Sequence, residues 1–141
     1  MSDVLGMLSI SRKAGKAEIG ELPVLTAVGN RKARLVLIAS DASENTVFRI
    51  SSAVGRTHIV SVRTPYTKEE LGAAFGRASC AVCAVCDVGL SVSAITALAA
   101  RVPDKYELEV RAIREMANRI QQRKLKKPGP GAGRKEKNRT D

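Results

Sequence analysis

The sequence predicts an α/β domain, a sheet of about four strands covered by helices on both faces. Three observations carry this. Segments with helical apolar spacing alternate with short apolar runs along the first hundred residues. Two of those runs, residues 34–40 (RLVLIAS) and 80–86 (CAVCAVC), are almost entirely apolar, as strands buried on both faces are. Apolar residues make up 44% of the 141, enough to fill a core, which excludes global disorder.

Taken in order, Val4, Leu5, Leu8 and Ile10 place a helix over residues 3–13, ended by Gly15. Residues 16–19 read as a short edge strand. Gly20 reads as a helix N-cap with Pro23 in the first turn, where a missing N–H costs no intrahelical bond. Leu22, Leu25 and Val28 carry that helix to about Gly29. After the apolar run at 34–40, Asp41 and Ser43 are turn and cap residues. Residues 44–54 then read as a helix and 58–62 as a strand. Thr67 with Glu70 three residues on is a capping box opening the next helix. Gly89 breaks the strand at 80–86, and residues 90–100 return to helix.

Pro103 marks a shift in composition, so the chain divides into a domain at 1–103, a helix at 104–127 and a tail at 128–141. Tyr106, Val110, Ile113, Ala117 and Ile120 form an apolar seam stepping by four and three. The seam suits docking on the main domain, and in second place self-association or a protein partner through residues 106–120. The tail, PGPGAGRKEKNRTD, has no apolar periodicity and reads as disordered.

Charge is uneven. The chain has 24 Lys plus Arg against 14 Asp plus Glu, a net charge of +10. Residues 104–141 carry 12 of the basic side chains and 6 of the acids. A surplus of this kind points to a polyanion, nucleic acid before membrane. Residues 119–139 hold nine Lys or Arg and one acid, which suits phosphate contacts that do not read bases. Those contacts are Arg119, Arg123, Lys124, Lys126, Lys127, Arg134, Lys135, Lys137 and Arg139. Two further clusters flank the second helix: Arg12, Lys13 and Lys16 before it, Arg31, Lys32 and Arg34 after it. With 3% aromatics and no Trp, an aromatic stacking platform is not expected.

Catalytic and metal sites find little support. The three cysteines are spaced C-x2-C-x2-C, but strand alternation puts Cys80 and Cys86 on one face and Cys83 on the other. With one His, His58, there is no fourth ligand set and no acyl-transfer triad. Residues 129–135 (GPGAGRK) fail the phosphate-loop spacing. No metal, no cofactor and no enzymatic activity are expected. No apolar run is long enough for a membrane span, and charges follow the first apolar stretch, so neither membrane nor secretion is expected. Three cysteines without secretory context fit reduced thiols and a cytoplasmic location.

Three stretches carry a family likeness: RKAGK at 12–16, LVLIASDASENT at 35–46 and YTKEELGAAFG at 66–76. In this order and spacing they resemble the YlxQ-type bacterial members of the ribosomal protein L-seven-Ae / L-thirty-e / Gadd-forty-five superfamily, over about residues 2–100. The resemblance implies a three-layer α-β-α sandwich with a small mixed sheet, and binding of structured RNA, typically kink-turns in ribosomal and other RNAs. It also implies a runner-up role, as the RNA-recruiting subunit of an RNA-modifying enzyme. In kink-turn binders the second helix opens G-x-N-E-x-x-K. Here Gly20 matches, with Glu21 following, while Leu22, Pro23 and Thr26 replace the Asn, Glu and Lys. A second part of the family site, the loop before the last strand, maps to Arg77, Ala78 and Ser79. Asp41 lies after a strand, where ligands often bind. The implied RNA surface is therefore Arg12, Lys13, Lys16, Gly20, Glu21, Leu22, Thr26, Asp41, Arg77, Ala78 and Ser79. Its contacts are expected to be mainly to phosphate and sugar.

Overall fold

The computed structural model describes residues 3–126. Its elements are α1 (Val4–Lys13), β1 (Ala17–Ile19), α2 (Glu21–Gly29), β2 (Leu35–Ile38), α3 (Glu44–Val54), β3 (Val60–Arg63), α4 (Lys68–Ala74), β4 (Val82–Val85), α5 (Val88–Arg101) and α6 (Glu107–Lys126). The strands form one mixed sheet in the order β1-β4-β2-β3. β4 runs antiparallel to β1 and β2, and β2 runs parallel to β3. Helices α2 and α3 pack together on one side, and α1, α4, α5 and α6 make up the other layer. This is the three-layer sandwich expected.

The sheet order explains the sequence. β2 and β4 are central and every residue of both is buried, hence their unbroken apolar runs. β1 and β3 are edges with partly exposed residues. Thr67 Oγ1 accepts from Glu70 N at 3.1 Å, and Glu70 Oε1 accepts from Thr67 N at 2.9 Å, so the capping box forms. Thr67→Ala removes one of these acceptors and is expected to cost about 1 kcal/mol, read as a lower urea midpoint with unchanged slope.

Several local expectations shift. α1 buries Val4, Met7, Leu8 and Ser11, leaving Ile10 exposed. β3 starts at Val60, its register partner being Leu35, so His58 lies in the preceding loop, exposed. Gly89 does not interrupt structure: Asp87 Oδ2 accepts from Leu90 N at 2.8 Å and caps α5, whose first turn contains Gly89. α6 starts at Glu107 rather than 104, because Asp104 holds a φ of 70°, outside the helical region.

The seam of α6 is spent inside the fold. Ile113 is fully buried, Tyr106 and Met116 nearly so, in the same core as α5. Tyr106 Oη donates to Arg63 O at 2.6 Å, occupying a carbonyl of the edge strand β3. Residues 107–126 thus pack on the sandwich, with Val110 and Ile120 partly buried against the same core. The tail at 128–141 lies outside the described residues.

The cysteines also differ from expectation. Because β4 begins at Val82, Cys80 precedes the strand and strand alternation does not govern it. Its thiol donates to Val82 O at 3.2 Å and sits within hydrogen-bonding reach of Cys83. That contact together with burial holds the Cys83 thiol well above its ordinary range. Among the described residues no group of three or more His, Cys, Asp or Glu side chains is placed to hold a metal. No helix among them is long and apolar enough to cross a membrane.

Candidate nucleic-acid interface

The corner between β1 and α2 turns on one residue. Gly20 holds a φ of 101°, a conformation that L side chains avoid. Its N–H donates to Val82 O at 2.9 Å, which ties the turn to the start of β4. As N-cap it offers no side-chain acceptor. The N–H groups of Glu21 and Leu22 therefore find no acceptor among the described residues, and Pro23 has none to offer. Unsatisfied N–H groups at the positive end of a helix dipole form an anion-accepting surface.

Glu21 is drawn aside from this opening by α3. Its Oε1 accepts from Thr46 Oγ1 at 3.1 Å and from Arg49 Nη2 at 3.0 Å, and its Oε2 accepts from Arg49 Nε. The hydrogen bond from Arg49 holds the carboxyl below its ordinary range. The pair is solvent-facing, so its help at neutral pH is modest and fades as pH falls through the carboxylate range. Leu22, 77% exposed, and the exposed Pro23 and Thr26 present an apolar and hydroxyl surface instead of an amide, a carboxylate and an ammonium.

Two loops complete the corner. Asp41 Oδ1 accepts from Lys68 N at 2.8 Å, bracing the turn after β2 against the start of α4. Arg77, Ala78 and Ser79 are exposed in the loop between α4 and β4. That loop is anchored by Arg77 N donating to Gly72 O at 2.8 Å and Cys80 N donating to Lys68 O at 2.9 Å. Gly20, Glu21, Leu22, Asp41, Arg77, Ala78 and Ser79 thus collect at the end of the sheet where β2 and β3 finish and β4 starts, while Thr26 lies further along α2, toward Asn30.

Arg12, Lys13 and Lys16 do not join them. Cys86 N, just past β4, donates to Lys16 O at 2.8 Å, and Arg34 N donates to Val85 O at 2.9 Å. Those bonds put Lys16 and Arg34 side by side at the opposite end of the sheet. The segments leading into β1, β2 and β3 each carry basic residues there: Arg12 and Lys13 at the end of α1 with Lys16 after it; Arg31, Lys32 and Arg34; and Arg56. α6 brings Arg119 and Arg123 to the same end, in one cleft with Arg31, Arg34 and His58. By contrast the corner end mixes Arg49, Arg63, Lys68 and Arg77 with Glu21, Asp41, Glu44, Glu69 and Glu70. The Arg31, Lys32 and Arg34 cluster is visible in the sequence but lies outside the implied surface; its signal is that each segment leading into β1, β2 and β3 carries basic residues. Of the C-terminal contacts, Arg119, Arg123 and Lys124 are exposed on α6, Lys126 ends it, and Lys127, Arg134, Lys135, Lys137 and Arg139 lie outside the described residues.

An α-β-α sandwich with an uncapped, glycine-opened second helix defines a class of small domain. The model of the Ribosomal protein L7Ae/L30e/S12e/Gadd45 family matches residues 2–95, and the chain belongs to that family. It is 31% identical over 96 residues to the RNA-binding protein YlxQ of Bacillus subtilis (strain 168), covering 65% of this chain and 91% of that protein. A solved structure of a protein of unknown function from Bacillus halodurans C superposes with a TM-score of 0.65 at 26% identity, covering 70% of this chain and 98% of that one. The Giardia lamblia 15.5kD RNA binding protein shares the fold, with a TM-score of 0.59 at 21% identity over 70% of this chain and 87% of its own. α6 lies beyond the family match.

Proposed function

We propose that the protein binds structured RNA, as a cytoplasmic, ribosome-associated binding protein without chemistry of its own. The observation that carries this is the uncapped N-terminus of α2, opened by Gly20, in a chain of this family. The Glu21 and Leu22 N–H groups donate to a phosphate oxygen there, and Arg77 supplies a guanidinium from the facing loop. Leu22 and Thr26 pack on sugar and base surface. Asp41 acts by holding the start of α4 in place. The basic end of α6 and the residues after it add sequence-independent affinity.

Leu22, Pro23 and Thr26 replace the side chains that read kink-turn bases, so phosphate contacts dominate over base readout. The full chain is therefore expected to bind a kink-turn RNA only a few-fold more tightly than a straight duplex. If about five phosphates are engaged, log affinity falls against log salt with a slope of roughly −4 to −5. Filter binding across a salt series measures both. Absence of salt-dependent retention of either RNA overturns the reading; a kink-turn preference of a hundred-fold or more overturns the phosphate-dominated part.

A further inference from the structure

At the end of the sheet away from the Gly20 corner, a cleft of about 360 Å³ opens between the α2–β2 loop, the α3–β3 loop and α6. Arg31, Arg34, Arg119 and Arg123 line it together with His58, over a floor that includes the buried Ala33 and Met116. Four guanidiniums from two separate parts of the chain meet here, the α2–β2 loop and α6, beside His58 from a third. Among the described residues none of them forms a salt bridge, Arg49 with Glu21 being the pair that does. Like charges gathered without counter-charge are unfavourable in the absence of an anion.

A backbone observation points the same way. Arg31 holds a φ of 59°, in the left-handed region that favours glycine. It follows the C-cap of α2, with Arg31 N donating to Val28 O at 3.1 Å and Lys32 N donating to Ala27 O at 2.8 Å, the paired bonds of a Schellman ending. An arginine here works against the local backbone preference and places its guanidinium on the cleft rim.

We propose that this cleft is a second binding site for the phosphodiester backbone of RNA, so that the domain grips RNA at both ends of its sheet. The inference rests on the reading that RNA is the partner. An extended polyanion fits better than a small anion because cations outnumber acids past the cleft: Lys16 and Lys32 lie beside Arg34 around Cys86, with Glu18 and Asp87 as the acids there, and Lys124 follows Arg123 on α6. A groove lined by Leu22, Pro23, Thr26, Asn30 and Lys32, with Glu18 at its side, runs along the exposed face of α2 and links the two ends. α2 has 9 residues and so spans about 13 Å, a length that a few nucleotides cover.

The test uses the full chain, a short fluorescein-labelled RNA duplex and fluorescence anisotropy across a salt series. Replacing Arg34, Arg119 and Arg123 together by Gln is expected to weaken binding at least ten-fold and to reduce the salt slope by about 3, roughly one per lost phosphate contact. Arg31→Gly relieves the left-handed strain, so it is expected to keep or raise Tm while reducing the slope by about 1. That opposition separates a binding role from a folding one. Wild-type affinity and slope in the triple variant, with Arg77→Gln still weakening binding, overturn the second site and leave the corner reading standing. An Arg31→Gly variant with unaltered binding also counts against it. Saturable micromolar binding of inorganic phosphate that the triple variant abolishes, with RNA binding intact, makes the cleft a small-anion pocket and overturns the proposal. No RNA binding by the wild-type chain overturns the RNA reading and this inference together.

Discussion

Cutting the chain after Pro103 is expected to destroy cooperative unfolding. The matched family region stops at residue 95, which makes α6 look like an addition to a finished domain. The packing says otherwise. Ile113 is fully buried, and Tyr106 and Met116 lie in the same core against α5 and β3. Burying such side chains contributes about 1.5–3 kcal/mol each, so their joint loss approaches the whole stability of a small domain, about 5–15 kcal/mol. The cut also removes the Tyr106 hydroxyl from Arg63 O and leaves an edge-strand carbonyl open. Calorimetry on the shortened chain is expected to show no sharp transition, or one lowered by more than about 15 °C. Two companions localise the effect. Ile113→Ala costs about 2–5 kcal/mol from cavity and lost transfer energy, whereas a chain ending after Lys126 keeps Tm within about 2 °C. A transition after the Pro103 cut within a few degrees of the full chain sinks the claim that α6 is integral.

The same contrast shows what the sequence could and could not reveal. Signals confined to a few residues came through. Ser43 as N-cap fixed the start of α3 at Glu44, and Thr67 with Glu70 fixed α4. Gly20 is legible as the N-cap of α2, where the chain passes from strand to helix within one position. Errors arose wherever pairing partners decide. β3 begins at Val60 because Leu35 lies opposite it, and nothing near His58 encodes that register. The face of Cys80 depends on where β4 enters the sheet. The largest error of placement concerns the site itself. Arg12, Lys13 and Lys16 are close to Gly20 in sequence, and sequence proximity alone assigns them to its surface. Three residues of β1 carry the chain from one end of the sheet to the other, about 10 Å away. The antiparallel pairing of β1 with β4 sets that direction, and it is a long-range fact. The seam of α6 is readable as a period suited to docking on the main domain, but that α5 and β3 receive it is a long-range fact.

Gly72→Ala is the substitution expected to damage the corner most without touching its surface. Gly72 is buried in α4, facing the loop that carries Arg77, Ala78 and Ser79. A Cβ at this position would stand 2.7 Å from Ser79 N, 2.8 Å from Arg77 O and 2.8 Å from Ser79 Cα. All three are backbone atoms, so no side-chain rotation relieves the overlap, and either α4 or the loop must move. The loop is tied to α4 by Arg77 N to Gly72 O and by Cys80 N to Lys68 O, so a shift breaks bonds as well as contacts. Overpacking of this sort costs about 1–3 kcal/mol, and the lost hydrogen bonds add to it. We expect Tm to fall by roughly 5–15 °C with the chain still folded. RNA affinity, measured well below the new Tm, is expected to fall further than it does for Arg77→Gln, because the whole loop leaves the Gly20 corner. Binding that matches Arg77→Gln would mean that the loop serves only through its guanidinium. Binding and Tm both at wild-type values would mean that α4 and the loop do not approach as closely as 2.7 Å demands.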